Sequence, residues 1–99
     1  MVDIDFKLEQ KMKMMDIEYD YDDNVFKIDG LNINKINIKK YENLLQLIYE
    51  FCIEKEIQWL DVYVIKSQKN IDVKQLLKKH DFVTLIDNQN SICMRKQIK

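Results

Sequence analysis

The sequence predicts an α+β domain: a mixed, mainly antiparallel twisted sheet with two helices, in the order β-β-β-α-β-α-β-β. Three observations carry this expectation. Short stretches near both ends alternate polar and apolar residues, as strands with one buried face do. Two longer stretches place apolar residues at helical spacing. Between those two lies IQWLDVYVI, residues 57–65, apolar enough to be the centre of the sheet.

The elements follow in order. Residues 3–9, DIDFKLE, alternate and read as a first strand. Residues 15–21, MDIEYDY, alternate again and put Ile17, Tyr19 and Tyr21 on one face. Asp22, Asp23 and Asn24 form a turn, because short Asx side chains tolerate left-handed backbone. Residues 25–33, VFKIDGLNI, return as the other arm of a hairpin. Phe26 and Ile28 share one parity and Leu31 and Ile33 the other, so one extra residue near Asp29 and Gly30 is expected as a bulge.

Residues 41–54 carry Leu44, Leu45, Leu47, Ile48, Phe51 and Cys52, the broad stripe of a helix lying on a sheet. After the central strand, Asn70 can cap a short helix over 71–80 that buries Val73, Leu76 and Leu77. Residues 82–87 and 91–98 make a last hairpin around Asp87-Asn88-Gln89-Asn90.

Ninety-nine residues make one domain, 1–99, with a modest core. The chain is 46% hydrophobic and 33% charged, too apolar for disorder, and its apolar runs are too short to cross a membrane. The opening MVDIDFKLEQ is acidic and alternating, unlike a signal peptide, so a cytoplasmic location is expected. Cys52 and Cys93 have no CxxC context and read as buried free thiols. His80 is the only histidine, which excludes a zinc site built on several imidazoles, and nothing in the spacing links it to Ser67 or Ser91 as a catalytic group. Charge is uneven: residues 1–30 hold nine acids against four lysines, whereas the remainder is net basic.

The tail is the most specific part of the chain. Asn70, Val73, Leu76, Leu77, Lys79, Asp81 and Phe82 are followed by Ile92-Cys93-Met94-Arg95-Lys96. This spacing resembles the N-x-x-A-x-x-L-Y-x-K-x-G-F pattern and closing hairpin of the GNAT superfamily of acyl-CoA N-acyltransferases. LDVYV looks like that family's fifth strand, and FKIDGLNI like its bulged fourth. The resemblance runs from about Val25 to Ile98 and leaves no room for the family's first strand and first two helices.

Two departures bear on chemistry. The family holds its cofactor's pyrophosphate with an R/Q-x-x-G-x-G/A loop at the start of the long helix, where glycine lets backbone N–H groups approach phosphate. The matching positions here are Ile36, Lys39 and Tyr41, and INKINIKKYENLL holds no glycine. Lys35, Lys39 and Lys40 could attract an anion, although lysines before a helix usually form a solvated edge. The family also protonates its departing thiolate with the tyrosine of L-Y, a step of roughly 10²–10⁴-fold in rate. That position is Leu77, and nothing in the spacing favours Tyr41 or Tyr63 as a replacement. Asp81 stands where the family has glycine. The expectation is therefore a non-catalytic relative with no catalytic, cofactor-binding or metal-binding residues. The alternative is an acetyl-CoA-dependent N-acetyltransferase with an atypical loop.

The remaining feature is MDIEYDYDDN. In an extended strand Asp16, Glu18, Asp20 and Asp22 point to one side, successive carboxylates roughly 7 Å apart. Alternation alone predicts polar residues there, but not that all four be acids. Acids also defend a sheet edge from unwanted pairing. These four residues are the candidate partner-binding site, facing a protein with a basic surface. A phage or mobile-element inhibitor of a bacterial nuclease, anti-CRISPR-like in logic, fits that description. A homodimer could cover surface left bare by the missing elements. Direct nucleic-acid binding through residues 35–40, Lys78 and Lys79 is the weakest reading for a net-negative chain.

Overall fold

The computed structural model describes residues 4–31, 38–65 and 71–99. Its elements are α1 (Ile4–Met14), β1 (Glu18–Tyr21), β2 (Val25–Leu31), α2 (Ile38–Glu54), β3 (Trp59–Ile65), α3 (Ile71–Lys79), β4 (Val83–Asp87) and β5 (Ser91–Gln97). They form an α+β domain with one five-stranded sheet in the order β1-β2-β3-β5-β4. Only β2 and β3 run parallel; the other neighbours are antiparallel.

The expected first strand over residues 3–9 is a helix, so the order is α-β-β-α-β-α-β-β. Ile4, Phe6 and Leu8 do alternate, but Ile4, Leu8 and Met12 also recur every four residues, one helical face. The surrounding Lys, Leu, Glu, Gln and Met are good helix formers with no β-branched residue after Ile4. The helix buries Leu8 and Met12 and leaves Phe6 54% exposed. A strand would have put Phe6 and Leu8 on the same face.

The remaining elements agree with the sequence. β1 and β2 form the hairpin, and the run at 57–65 supplies β3, the middle strand. The β2–β3 ladder shifts register between Ile28 and Leu31, which is the bulge expected beside Gly30. Asn70, Ile33, Ile36, Lys35, Ser67 and the side chain of Val73 lie outside the described residues.

The core explains the layering. Its sheet residues are Phe26 and Ile28, then Leu60, Val62 and Val64, then Ile92 and Met94. Paired across the strands, all of them point to one face. The same cluster takes Leu8 and Met12 from α1, Tyr41 through Cys52 from α2, and Leu76 and Leu77 from α3. The three helices therefore share one side of the sheet, a two-layer design. Across the other side run Lys27, Asp61 and Arg95, one on each of three adjacent strands. Asp61 is 2% exposed, and Arg95 answers it with Nε at 2.6 Å and Nη2 at 2.9 Å. A buried carboxylate requires such a partner.

All three helices end in the same way. Asp16, Glu56 and Asp81 have φ of 54°, 59° and 70°. Each donates its N–H three residues back, to the carbonyls of Lys13, Ile53 and Lys78. The next residue, Ile17, Ile57 or Phe82, donates five back, to Met12, Cys52 or Leu77. This is the Schellman motif, normally built on glycine at the left-handed position. In each turn both the residue that closes it and the residue that accepts it are buried in the core.

Candidate functional site

Two places can be tested for function: the region beyond the carboxyl ends of the parallel strands, and the free edge of β1. Ligands of open sheets sit beyond the carboxyl ends of parallel strands, here β2 and β3, where α2 begins. Lys39 and Lys40 are exposed there. Tyr41 is not: its ring is fully buried. Of the loop departures within the described residues, Lys39 stands outward, while the Tyr41 side chain turns into the core and does not obstruct the helix start.

The tyrosines weighed as proton donors stand on opposite faces of the sheet. Burial drives the Tyr41 hydroxyl far above its ordinary range, and among the described residues that hydroxyl has no hydrogen-bond partner. Tyr63 lies across the sheet from the helices, and the neighbouring Cys93 thiol raises it first, burial less so. Tyr49, not singled out as a donor from the sequence, has a buried hydroxyl without a partner among the described residues and is pushed up to about 12 by burial. The Lys96 ammonium sits 4.6 Å from its ring centre. Leu77 is wholly buried and accepts the Phe82 N–H that closes its turn. The position that carries a tyrosine in the family pattern is here a hydrophobic anchor.

The four acids do not form one continuous row. Glu18 and Asp20 lie within β1, opposite Asp29 and Lys27 of β2. Asp16 lies before the strand, in the left-handed turn that ends α1. Asp22 lies after it, and its Oδ1 accepts the N–H groups of Asn24 and Val25 at 2.8 Å each. Those two bonds lower its pKa from the ordinary carboxylate value. The outer pair thus builds the two ends of the strand, and the inner pair faces outward from it. Asp20 also serves the backbone, since its Oδ1 accepts the N–H of Tyr21 at 2.8 Å.

The strand is held from beneath by aromatic contacts. Tyr19 and Tyr21 stack on Phe26 at 5.4 and 5.9 Å, and Phe51 of α2 meets Phe26 edge-on at 5.6 Å. Between α1 and β1 lies an open concavity of about 490 Å³, lined by Glu9, Met12 and Lys13 on one side and Glu18, Tyr19 and Asp20 on the other. Lys13 is paired with Glu9 at 3.9 Å, so the balance at this edge is acidic.

The Asp61–Arg95 pair was not singled out from the sequence, although a signal existed. An aspartate inside an apolar central strand requires a cation, and Arg95 is the chain's single arginine. Among the described residues, no group of three or more His, Cys, Asp or Glu could hold a metal ion. Among the same residues, no helix is long and apolar enough to cross a membrane.

No protein-family model and no curated protein matches the chain. Among solved structures, it is similar to Ard1 from Thermoplasma volcanium, a GNAT N-acetyltransferase, with a TM-score of 0.61 and 16% sequence identity. The match covers 84% of this chain and 62% of that one, so the chain spans less than two thirds of Ard1's length. At that identity the likeness shows the fold, and the fold is GNAT-like.

Proposed function

We propose that this chain is a non-catalytic GNAT-like module that binds another protein, with Glu18 and Asp20 as the charged contacts on its β1 edge. The observation that carries the reading is Leu77. The position that would protonate a departing thiolate holds an apolar side chain buried at 0% exposure, fixed in a helix-ending turn. A scaffold that has given its donor position to packing is fitted to recognition rather than to acyl transfer. The acidic edge supports the choice of partner: a protein with a basic groove, such as a nuclease, which the chain would block as an inhibitor. Asp16 and Asp22 hold the strand ends and contribute charge at its margins.

A second reading has one specific observation behind it. The likeness to Ard1 and the parallel β2–β3 pair with its bulge are the frame on which acetyl-CoA-dependent N-acetyl transfer would be built. Calorimetry with acetyl-CoA separates the two. Absence of heat at millimolar cofactor is expected; micromolar binding would replace the first reading with the second. The partner arm is capture of basic proteins from the native host, comparing the chain with Glu18→Lys/Asp20→Lys. Loss of capture is expected, and equal capture by the reversed chain would end the acidic-edge proposal.

A further inference from the structure

The geometry points to β4 as the surface on which a second copy of this chain docks, edge to edge. β4 is the other outer strand of the sheet, and all five of its residues are exposed. Val83 is 63% exposed, Leu85 47% and Ile86 46%. From Val83 to Ile86 there is no lysine, acid or proline, the residues that usually blunt an edge. An outer strand presents a row of backbone groups suited to pairing with another strand.

Charge and closure select the occupant. Two copies meeting along β1 would set Glu18 and Asp20 against themselves, and like charges directly opposite destabilise a strand pair. A β1-to-β4 contact leaves a free edge at each end and continues into a filament. A β4-to-β4 contact closes at two copies. Antiparallel pairing also brings the start of each β4, where Lys78 and Lys79 outnumber Asp81, towards the end of the other, where Asp87 lies. The register shift between Thr84 and Ile86 keeps the regular run short. The interface therefore falls at the small end of the range, below about 1,200 Å² in total, and association in the micromolar range is expected. This inference is independent of the protein-binding reading of β1.

Sedimentation velocity on the full chain, from low micromolar to submillimolar concentration, tests it. A concentration-dependent dimer is expected. Ile86→Lys should raise the dissociation constant by at least about tenfold. Lys7→Ala, on the exposed side of α1, should leave it unchanged. Hydrogen exchange on the wild-type chain gives a reading that does not depend on how the variant folds: the amides of Val83–Asp87 should be protected at high concentration and lose protection on dilution. A wild-type chain that stays monomeric throughout would overturn the inference. So would a dimer whose β4 amides exchange at the same rate at every concentration.

Discussion

The two outer strands of the sheet are built on opposite plans. β1 carries alternating acids, uses Asp20 to occupy the N–H of Tyr21, and is held from below by two tyrosines stacked on Phe26. β4 is uncharged over four residues and leaves three large apolar side chains in solvent. A strand edge pairs readily unless something prevents it. On the two proposals the difference gives the edges different partners: β1 would reject its own kind and attract a cationic surface, whereas β4 would admit another uncharged strand. The two proposed surfaces lie at opposite ends of one sheet.

The largest effect should come from the residue that anchors β1. Phe26 is fully buried and touches Tyr19, Tyr21 and Phe51. Phe26→Ala should destabilise the domain by about 3–5 kcal/mol, read from urea unfolding. Hydrogen exchange should show β1 amides losing protection ahead of those in β4. Uniform loss would mean that the two edges do not have separate supports.

Next comes the support on the β4 side. Arg95 stands opposite Val83 and pairs with the buried Asp61 of β3. Arg95→Met should cost about 3 kcal/mol, because it strands a carboxylate in the sheet. Adding Asp61→Asn should restore part of that loss by removing the stranded charge. A single variant as stable as the wild type would show that the pair is held too close to solvent to matter.

Alkaline pH probes α2, whose Phe51 packs under the β1 side of the sheet. Burial pushes the Cys52 thiol from its ordinary 9.0 up to about 12. Above the ordinary value the unfolded chain releases that proton while the folded chain keeps it, so stability falls as pH rises towards 12. The Cys52 share of the loss should reach about 2 kcal/mol between neutral pH and pH 10.5. Cys52→Ala should remove that share of the slope and leave the part due to the buried Tyr41 and Tyr49 hydroxyls, whatever it does to stability at neutral pH. An unchanged slope would place the titrating group elsewhere.

Much of this was legible in the sequence, for reasons specific to each element. β3 stands out because a middle strand buries most of its length, and the bulge near Gly30 because apolar parity changes across it. α1 was missed because Ile4, Phe6 and Leu8 fit a period of two over so short a span; only Met12 breaks the tie. The acidic row was half legible. Parity correctly put Glu18 and Asp20 together, but no pattern announces that Asp16 is left-handed. That position usually declares itself with glycine, and this chain has one glycine, spent elsewhere. For the same reason Asp81, which stands where the family pattern has glycine, hides its turn in the sequence, although the hydrogen bonds of that turn are formed.

Those acidic turns give the smallest and sharpest comparison, because Asp16 leads into β1 and Asp81 leads into β4. A side chain beyond Cβ in left-handed backbone is strained, and an acid at a helix carboxyl end opposes the helix dipole. Glycine removes both costs but makes the unfolded chain more flexible, so Asp81→Gly should gain about 0.5–1 kcal/mol in thermal or urea unfolding. Glu56→Gly, at the turn before the central strand, should gain a similar amount and serves as the control for both edges. Asp16→Gly should show the same direction in stability but weaken capture of a basic partner, since it removes charge from the margin of β1. Asp81→Gly should leave capture untouched. If all three substitutions stabilise and none affects capture, Asp16 belongs to the turn alone and the contact surface narrows to Glu18 and Asp20.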